Sequence, residues 1–262
     1  MKKSAVPDGV HPNKSLGQHW LYDASVLNQI ADCANLTADD TVLEIGPGLG
    51  TLTEVLSEKA RKVIAVEFDA ELAEKLTGAY ANVEVINADF LQFDFATLPT
   101  DYKVVANIPY YITAKIVQKL VTSTNKPSIA VLLVQREVTE RLAAKPGGMS
   151  VLTVSAQLYA EVGLGPIVKS ELFTPPPKVD SQVVILKTRA TPLFSDLDER
   201  QFFRIVKAGF SERRKKLRSS LAGSLGISKT EAEQLLSFAN IDPNLRAQDL
   251  SLENWYNLTQ GL

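Results

Sequence analysis

The sequence predicts an α/β fold: an open, mostly parallel sheet with helices on both faces, followed by a small all-helical C-terminal domain. Three observations carry this. Between residues 41 and 134, short runs of Val, Ile and Leu alternate with helical stretches, the rhythm of strands buried on both sides and joined by crossover helices. The first of these runs ends in a cluster of glycines, Gly46, Gly48 and Gly50, where a strand must turn tightly into a helix. From about Thr191 onward strand signals stop and only helical stretches remain.

Taken in order, residues 1–20 read as a polar arm in which Pro7, Gly9, Pro12 and Gly17 interrupt any helix. Residues 22–34 read as a helix capped by Asp23, with Val26, Leu27 and Ile30 on one face. Strands are expected over 41–45, 62–66, 83–87, 102–106 and 129–134, with helices over 51–60, 71–80 and 114–122. A helix over 149–160 follows. Two more strands, 161–169 and 182–188, flank a proline-rich loop at 173–181 and are expected to pair antiparallel at one sheet edge. The C-terminal helices are expected over 198–220, 229–240 and 252–258. The domain reading is therefore an arm over 1–20, a sheet domain over 21–190 and a helical domain over 191–262.

The chain has 262 residues, 45% of them hydrophobic and 22% charged, enough for a sizeable core and too apolar for a disordered chain. No apolar run approaches the roughly 20 residues of a spanning helix. A single cysteine, Cys33, excludes an intramolecular disulfide and a multi-cysteine zinc site, and with only His11 and His19 no metal centre is expected. Lys2 and Lys3 are followed by no apolar segment of the secretory type, so a cytoplasmic protein is expected, with no membrane partner and a monomer as the default. Net charge is only −2, but residues 203–218 hold seven Lys and Arg against Glu212, leaving −8 for the rest. That segregation suggests one face built for an anion.

Chemistry gathers at the strand ends. The stretch VLEIGPGLGTLT, 42–53, places glycines where backbone must approach a ligand closely. The next strand ends in Glu67, 21 residues after Gly46, the distance at which a carboxylate reaches a ribose diol. The third ends near Asp89, at the same carboxyl edge, where open α/β sheets bind ligands. The spacing G-x-G-x-G is one residue shorter than the dinucleotide fingerprint, and no P-loop lysine motif is present. It resembles the S-adenosylmethionine-binding class, a Rossmann-like class I methyltransferase sheet.

The fourth strand runs into Asn107-Ile108-Pro109-Tyr110, which resembles the motif of amino-methyltransferases acting on N6 of adenine. That amine is a poor nucleophile because its lone pair is delocalised into the ring. Two acceptors facing its N–H groups, the Asn107 carboxamide oxygen and the Ile108 carbonyl, favour a pyramidal nitrogen. Pro109 holds Ile108 extended and aims that carbonyl. Tyr110 offers a ring on which an extruded base stacks, worth roughly 1–3 kcal/mol.

With NKSLGQHWLYD at 13–23, NADFLQFD at 87–94, VQREVTERL at 134–142, FTPPPKVDSQV at 173–183 and FSERRKKLRSSL at 210–221, most of the chain resembles the ribosomal RNA adenine N6,N6-dimethyltransferases, and among them the bacterial small-subunit enzymes. The resemblance implies S-adenosylmethionine as cofactor. His19 and Leu21 would close over it, Gly46 contact it, Glu67 hold its ribose, Asp89 its adenine amine, and Asn107 sit beside its methyl group. It implies as substrate two adjacent adenosines in a hairpin loop near the 3′ end of 16S rRNA, within the small subunit or its precursor. Phe173 would form the side of the base pocket opposite Tyr110. His19-Trp20 stands where Asn-Phe is common, and Tyr111 where Asn is common; neither change removes a required group.

Arg213, Arg214, Lys215, Lys216 and Arg218, read at helical spacing, make a stripe that can track RNA phosphates. A related reading is the 23S rRNA adenine methyltransferase of the macrolide-resistance type. A non-catalytic RNA-binding factor is disfavoured by the intact Glu67, Asp89, Asn107 and Tyr110. A nicotinamide-dependent dehydrogenase is disfavoured by the glycine spacing.

Overall fold

The computed structural model describes residues 17–261, and the chain divides into two compact units. One unit takes the described residues up to Thr139 together with Glu161–Thr188; the other takes Glu140–Ala160 together with the chain from Arg189 onward. The elements up to residue 188 are β1 (Trp20–Leu21), α1 (Ala24–Asp32), β2 (Thr41–Ile45), α2 (Thr51–Lys59), β3 (Lys62–Glu67), α3 (Ala70–Leu76), β4 (Val83–Asn87), β5 (Lys103–Asn107), α4 (Thr113–Thr122), β6 (Ile129–Gln135), α5 (Arg136–Leu142), α6 (Val151–Tyr159), β7 (Ala160–Val168), β8 (Phe173–Thr174) and β9 (Ser181–Thr188).

Seven strands form one sheet in the order β4-β3-β2-β5-β6-β9-β7. The first five are parallel, and β9 runs antiparallel to β6, from Ile129 opposite Lys187 to Gln135 opposite Ser181. On β7, Gly163 lies against Ile185 and Gly165 against Val183, so β7 and β9 also run in opposite directions. The chain moves outward from β2 through β3 to β4, then returns to the other side of β2 for β5 and β6. The crevice between the carboxyl ends of β2 and β5 is thus the topological switch point, where such sheets bind ligands. Beneath it, Leu27 and Ile30 of α1 and Leu52 and Leu56 of α2 pack on Val63 and Val131 of the sheet. Burying each such side chain contributes roughly 1.5–3 kcal/mol.

The polar-arm reading is corrected at its last residue: Trp20, with Leu21, forms β1, paired antiparallel with β8, and both are buried. The part of that arm before Gly17 lies outside the described residues.

The helical unit holds α7 (Glu199–Phe210), α8 (Leu217–Leu225), α9 (Lys229–Phe238) and α10 (Leu252–Gln260). A Cβ on Gly209 would fall 2.4 Å from the ring of the fully buried Trp255, so α7 and α10 meet over a glycine. Residues 140–160, which the sequence reading gave to the sheet domain, belong to this unit. Gly147 and Met149 donate to the Gln248 carbonyl, Arg189 to Tyr159 and Leu193 to Leu158, at 2.8–3.1 Å. The single helix expected over 198–220 is in fact two. Leu217 N–H donates to the distant Leu245 carbonyl at 2.7 Å, and this tertiary bond redirects the chain after a turn at 211–216.

Candidate active site

A cavity of about 360 Å³ opens at the carboxyl ends of β2, β3, β4 and β5, with residues 17–21 along one side. Its floor is the glycine bend. Gly46, Gly48 and Gly50 all have positive φ, between 58° and 79°, and Gly46 N–H donates to the Val66 carbonyl at 2.9 Å. A Cβ on Gly50 would lie 2.6 Å from Leu76 Cδ1, so both the left-handed turn and the approach of α3 require glycine there.

Three carboxylates face this space. Glu67, at the end of β3, accepts from Gly48 N–H through Oε2 and from Asp69 N–H through Oε1, each at 2.9 Å. Burial raises its pKa, and these N–H groups pull it back toward the ionised form. Asp89, in the turn after β4, accepts from Leu91 N–H at 2.8 Å through Oδ1. Glu44, inside β2, was not singled out from the sequence. It is 1% exposed, its Oε2 has no hydrogen-bond partner among the described residues, and burial, with the neighbouring Glu67 charge, pushes its pKa up to about 8. The available signal was a lone carboxylate within the apolar run VLEIG.

The opposite wall follows β5. Asn107 Nδ2 donates to the His19 carbonyl at 3.1 Å. Because that partner accepts only, the amide nitrogen must face it, and the carboxamide oxygen is the atom turned elsewhere. Pro109 (φ −59°) opens a single 3-10 turn carrying Tyr110. The Tyr110 hydroxyl shares a 2.7 Å hydrogen bond with Ser181 Oγ, and its ring is only half-buried. His19 stacks on that ring, centroids 5.5 Å apart and planes 21° apart. His19 Nδ1–H donates to the Pro175 carbonyl at 2.7 Å, which fixes the tautomer. Phe68 and Tyr111, 61% and 63% exposed, stand at the rim.

His19, Leu21, Gly46, Glu67, Asp89, Asn107, Ile108, Pro109 and Tyr110, drawn from five separate stretches of sequence, therefore line one cavity. Phe173 does not, and the expectation that it forms the other side of a base pocket is corrected. It is 2% exposed, pairs with Leu21 across the β1–β8 ribbon and packs into the core. The helical stripe of cations is corrected too, because Arg213 to Lys216 lie in the turn between α7 and α8. There Lys215 pairs with Glu212 at 2.7 Å, and Lys216 Nζ donates to Asn244 at 2.7 Å. Arg218, on α8, pairs with Glu233 at 2.5 Å. Arg213 and Arg214 are exposed and have no partner among the described residues. Also among the described residues, no helix is long and apolar enough to cross a membrane.

Residues 9–262 match the profile of the family described as Ribosomal RNA adenine dimethylase. The chain is 42% identical over 251 residues to Ribosomal RNA small subunit methyltransferase A of Dehalococcoides mccartyi, covering 94% of this chain and 86% of that protein. Among solved structures, a dimethyladenosine transferase from Plasmodium falciparum superposes with a TM-score of 0.77 at 27% identity, covering 92% of this chain and 96% of that one. The 23S rRNA methyltransferase ErmE superposes with a TM-score of 0.72 at 31% identity, covering 93% and 99%. The protein is a methyltransferase by descent as well as by fold: the chain belongs to the ribosomal RNA adenine dimethylase family.

Proposed function

We propose that this chain transfers methyl groups from S-adenosylmethionine to N6 of two adjacent adenosines in a hairpin loop near the 3′ end of 16S rRNA, converting each to N6,N6-dimethyladenosine. The observation that carries the reading is the Asn107–His19 bond, which orients the Asn107 amide so that an oxygen is left for a substrate amine.

The residues present fit the cofactor. The cavity lining holds the carboxylates of Glu67 and Asp89 against one lysine, Lys115, and beside them the buried carboxyl of Glu44, one oxygen of which lacks a hydrogen-bond partner among the described residues. Such a lining suits a cation, and S-adenosylmethionine carries a sulfonium and an ammonium; it does not suit a phosphate. Glu67 would hold the ribose hydroxyls and Asp89 the adenine amine. Leu21 and the glycine bend would contact the remainder. When bound, the cofactor supplies an electrophilic methyl group.

The chain's own work is then alignment, which suits in-line transfer. Asn107 Oδ1 and the Ile108 carbonyl accept from the substrate amine and make its lone pair available. Tyr110, steadied by Ser181 on its hydroxyl and His19 on its ring, offers the stacking platform for a base turned out of its helix. Arg213 and Arg214 supply phosphate contacts in the helical unit.

The decisive assay supplies labelled methyl donor with unmethylated small ribosomal subunits, and separately with naked 23S rRNA. Label on two adjacent 16S adenosines is the expected result. Label on 23S alone would overturn the reading in favour of the macrolide-resistance type, the alternative kept open by the superposition with ErmE.

A further inference from the structure

Lys119 plays no part in the site as described, yet its ammonium is committed to one of that site's walls. It lies on α4, the helix that follows the Asn107–Tyr110 segment. Its Nζ donates to the Leu91 carbonyl at 2.9 Å and to the Phe93 carbonyl at 2.7 Å. It also sits 4.9 Å from the Phe95 ring centroid and 5.6 Å from that of Phe90. Both carbonyls belong to the turn after β4. The Leu91 residue has two faces: its carbonyl is held by Lys119, and its N–H donates to Asp89 Oδ1 at 2.8 Å. Gln92 N–H closes the same turn on the Asp89 carbonyl at 2.9 Å. One cation on α4 therefore pins the peptide segment that holds the Asp89 carboxylate.

We infer that Lys119 is a positioning residue for purine recognition: by clamping the turn at 89–93 to α4, it aims Asp89 at the exocyclic amine of the bound adenosyl group. This rests on the proposed role of Asp89. Burial draws the Lys119 pKa down while Asp89 and Asp94 oppose the shift. Its net charge also complements a turn flanked by those two carboxylates. Lys119 thereby ties the wall that reads the cofactor's purine to the helix that begins beside Asn107 and Tyr110.

The readout is a preference that general loosening of the fold would not move. S-adenosylhomocysteine presents an amine to Asp89, whereas S-inosylhomocysteine presents a carbonyl, which a carboxylate repels. Calorimetric titration of the folded full-length chain with each gives the ratio of affinities. The wild type is expected to prefer the adenine compound strongly. Asp89→Ala removes the preference. Lys119→Met, which keeps the stem over the phenylalanine rings, reduces it by about tenfold or more. Lys119→Arg, which still donates to two carbonyls, restores most of it, and Lys119→Gln, with two N–H donors on one nitrogen and no charge, falls between. If Lys119→Met and Lys119→Gln keep the wild-type ratio while Asp89→Ala loses it, the inference about Lys119 is overturned and Asp89 keeps its role. If the wild type shows no preference, or Asp89→Ala retains it, the role of Asp89 itself is overturned.

Discussion

The glycine bend at 46–50 and the basic segment at 211–216 are both short links into a helix, and both stand out in the sequence, yet they are held in opposite ways. In the bend, backbone groups are committed: Gly46 N–H to Val66, Gly48 N–H to Glu67, and Gly50 to a left-handed turn against Leu76. In the basic segment the side chains are exposed and their partners are a few surface groups, with Arg213 and Arg214 unpaired among the described residues. Exposed pairs of this kind contribute about 0–1 kcal/mol, so their cations exchange a carboxylate for a phosphate at small cost. A centre for methyl transfer needs donors and acceptors that do not move. A surface for a polyanion needs charge that adapts.

That contrast is open to measurement, and the effects should be abrupt at the bend and its facing wall, graded in the basic segment. Asn107→Ala should lower turnover by about 10²–10³-fold, the usual loss for one preorganised polar group, with cofactor affinity nearly unchanged. Equal turnover in the variant would remove amine activation from the mechanism. Glu44→Gln should change how stability depends on pH. With the folded carboxyl raised from 4.5 to about 8, the wild type binds an extra proton between those values. Its contribution, on the order of 5 kcal/mol at most, is full below pH 4.5 and lost as pH rises through 8. Urea unfolding across pH 5–8 should show a steeper decline for the wild type than for the glutamine variant, and parallel curves would show that Glu44 is ionised.

Gly50→Ala should destabilise the fold by roughly 2–3 kcal/mol through left-handed strain and the contact with Leu76. A loss below about 0.5 kcal/mol would mean that Leu76 yields and the bend is less committed than described. Smallest is the effect in the basic segment. Arg213→Glu with Arg214→Glu should weaken RNA binding about tenfold and flatten its salt dependence by one to two units of slope. Cofactor affinity should stay put, and Lys216→Gln should do little. An RNA affinity that ignores both arginines would take this segment out of the interface.

Legibility followed the same division. The bend, Glu67 and Asp89 were readable because a strand ending in glycines and two further strands ending in carboxylates are local patterns with one common geometric outcome. Asn107 and Tyr110 were readable from their own tetrapeptide. Ser181 was not, since its hydrogen bond to Tyr110 spans 71 residues and depends on β9 joining the sheet beyond β6. Phe173 was misplaced for the same kind of reason: nothing local states that its neighbour across the ribbon is Leu21. The cation run invited a helix because spacing alone cannot reveal the bond from Leu217 to Leu245.

The amino-acid order by itself determined the alternation of strands and helices, the glycine turn and the residue types at the strand ends, since each follows from steric and hydrophobic preferences within a few neighbours. Only the tertiary structure decided which of those residues share a cavity, that 140–160 joins the helical unit, and that Lys119 holds the turn bearing Asp89. Those outcomes depend on pairings between distant segments, where burial and hydrogen-bond closure across the whole fold, rather than any local propensity, select the partner.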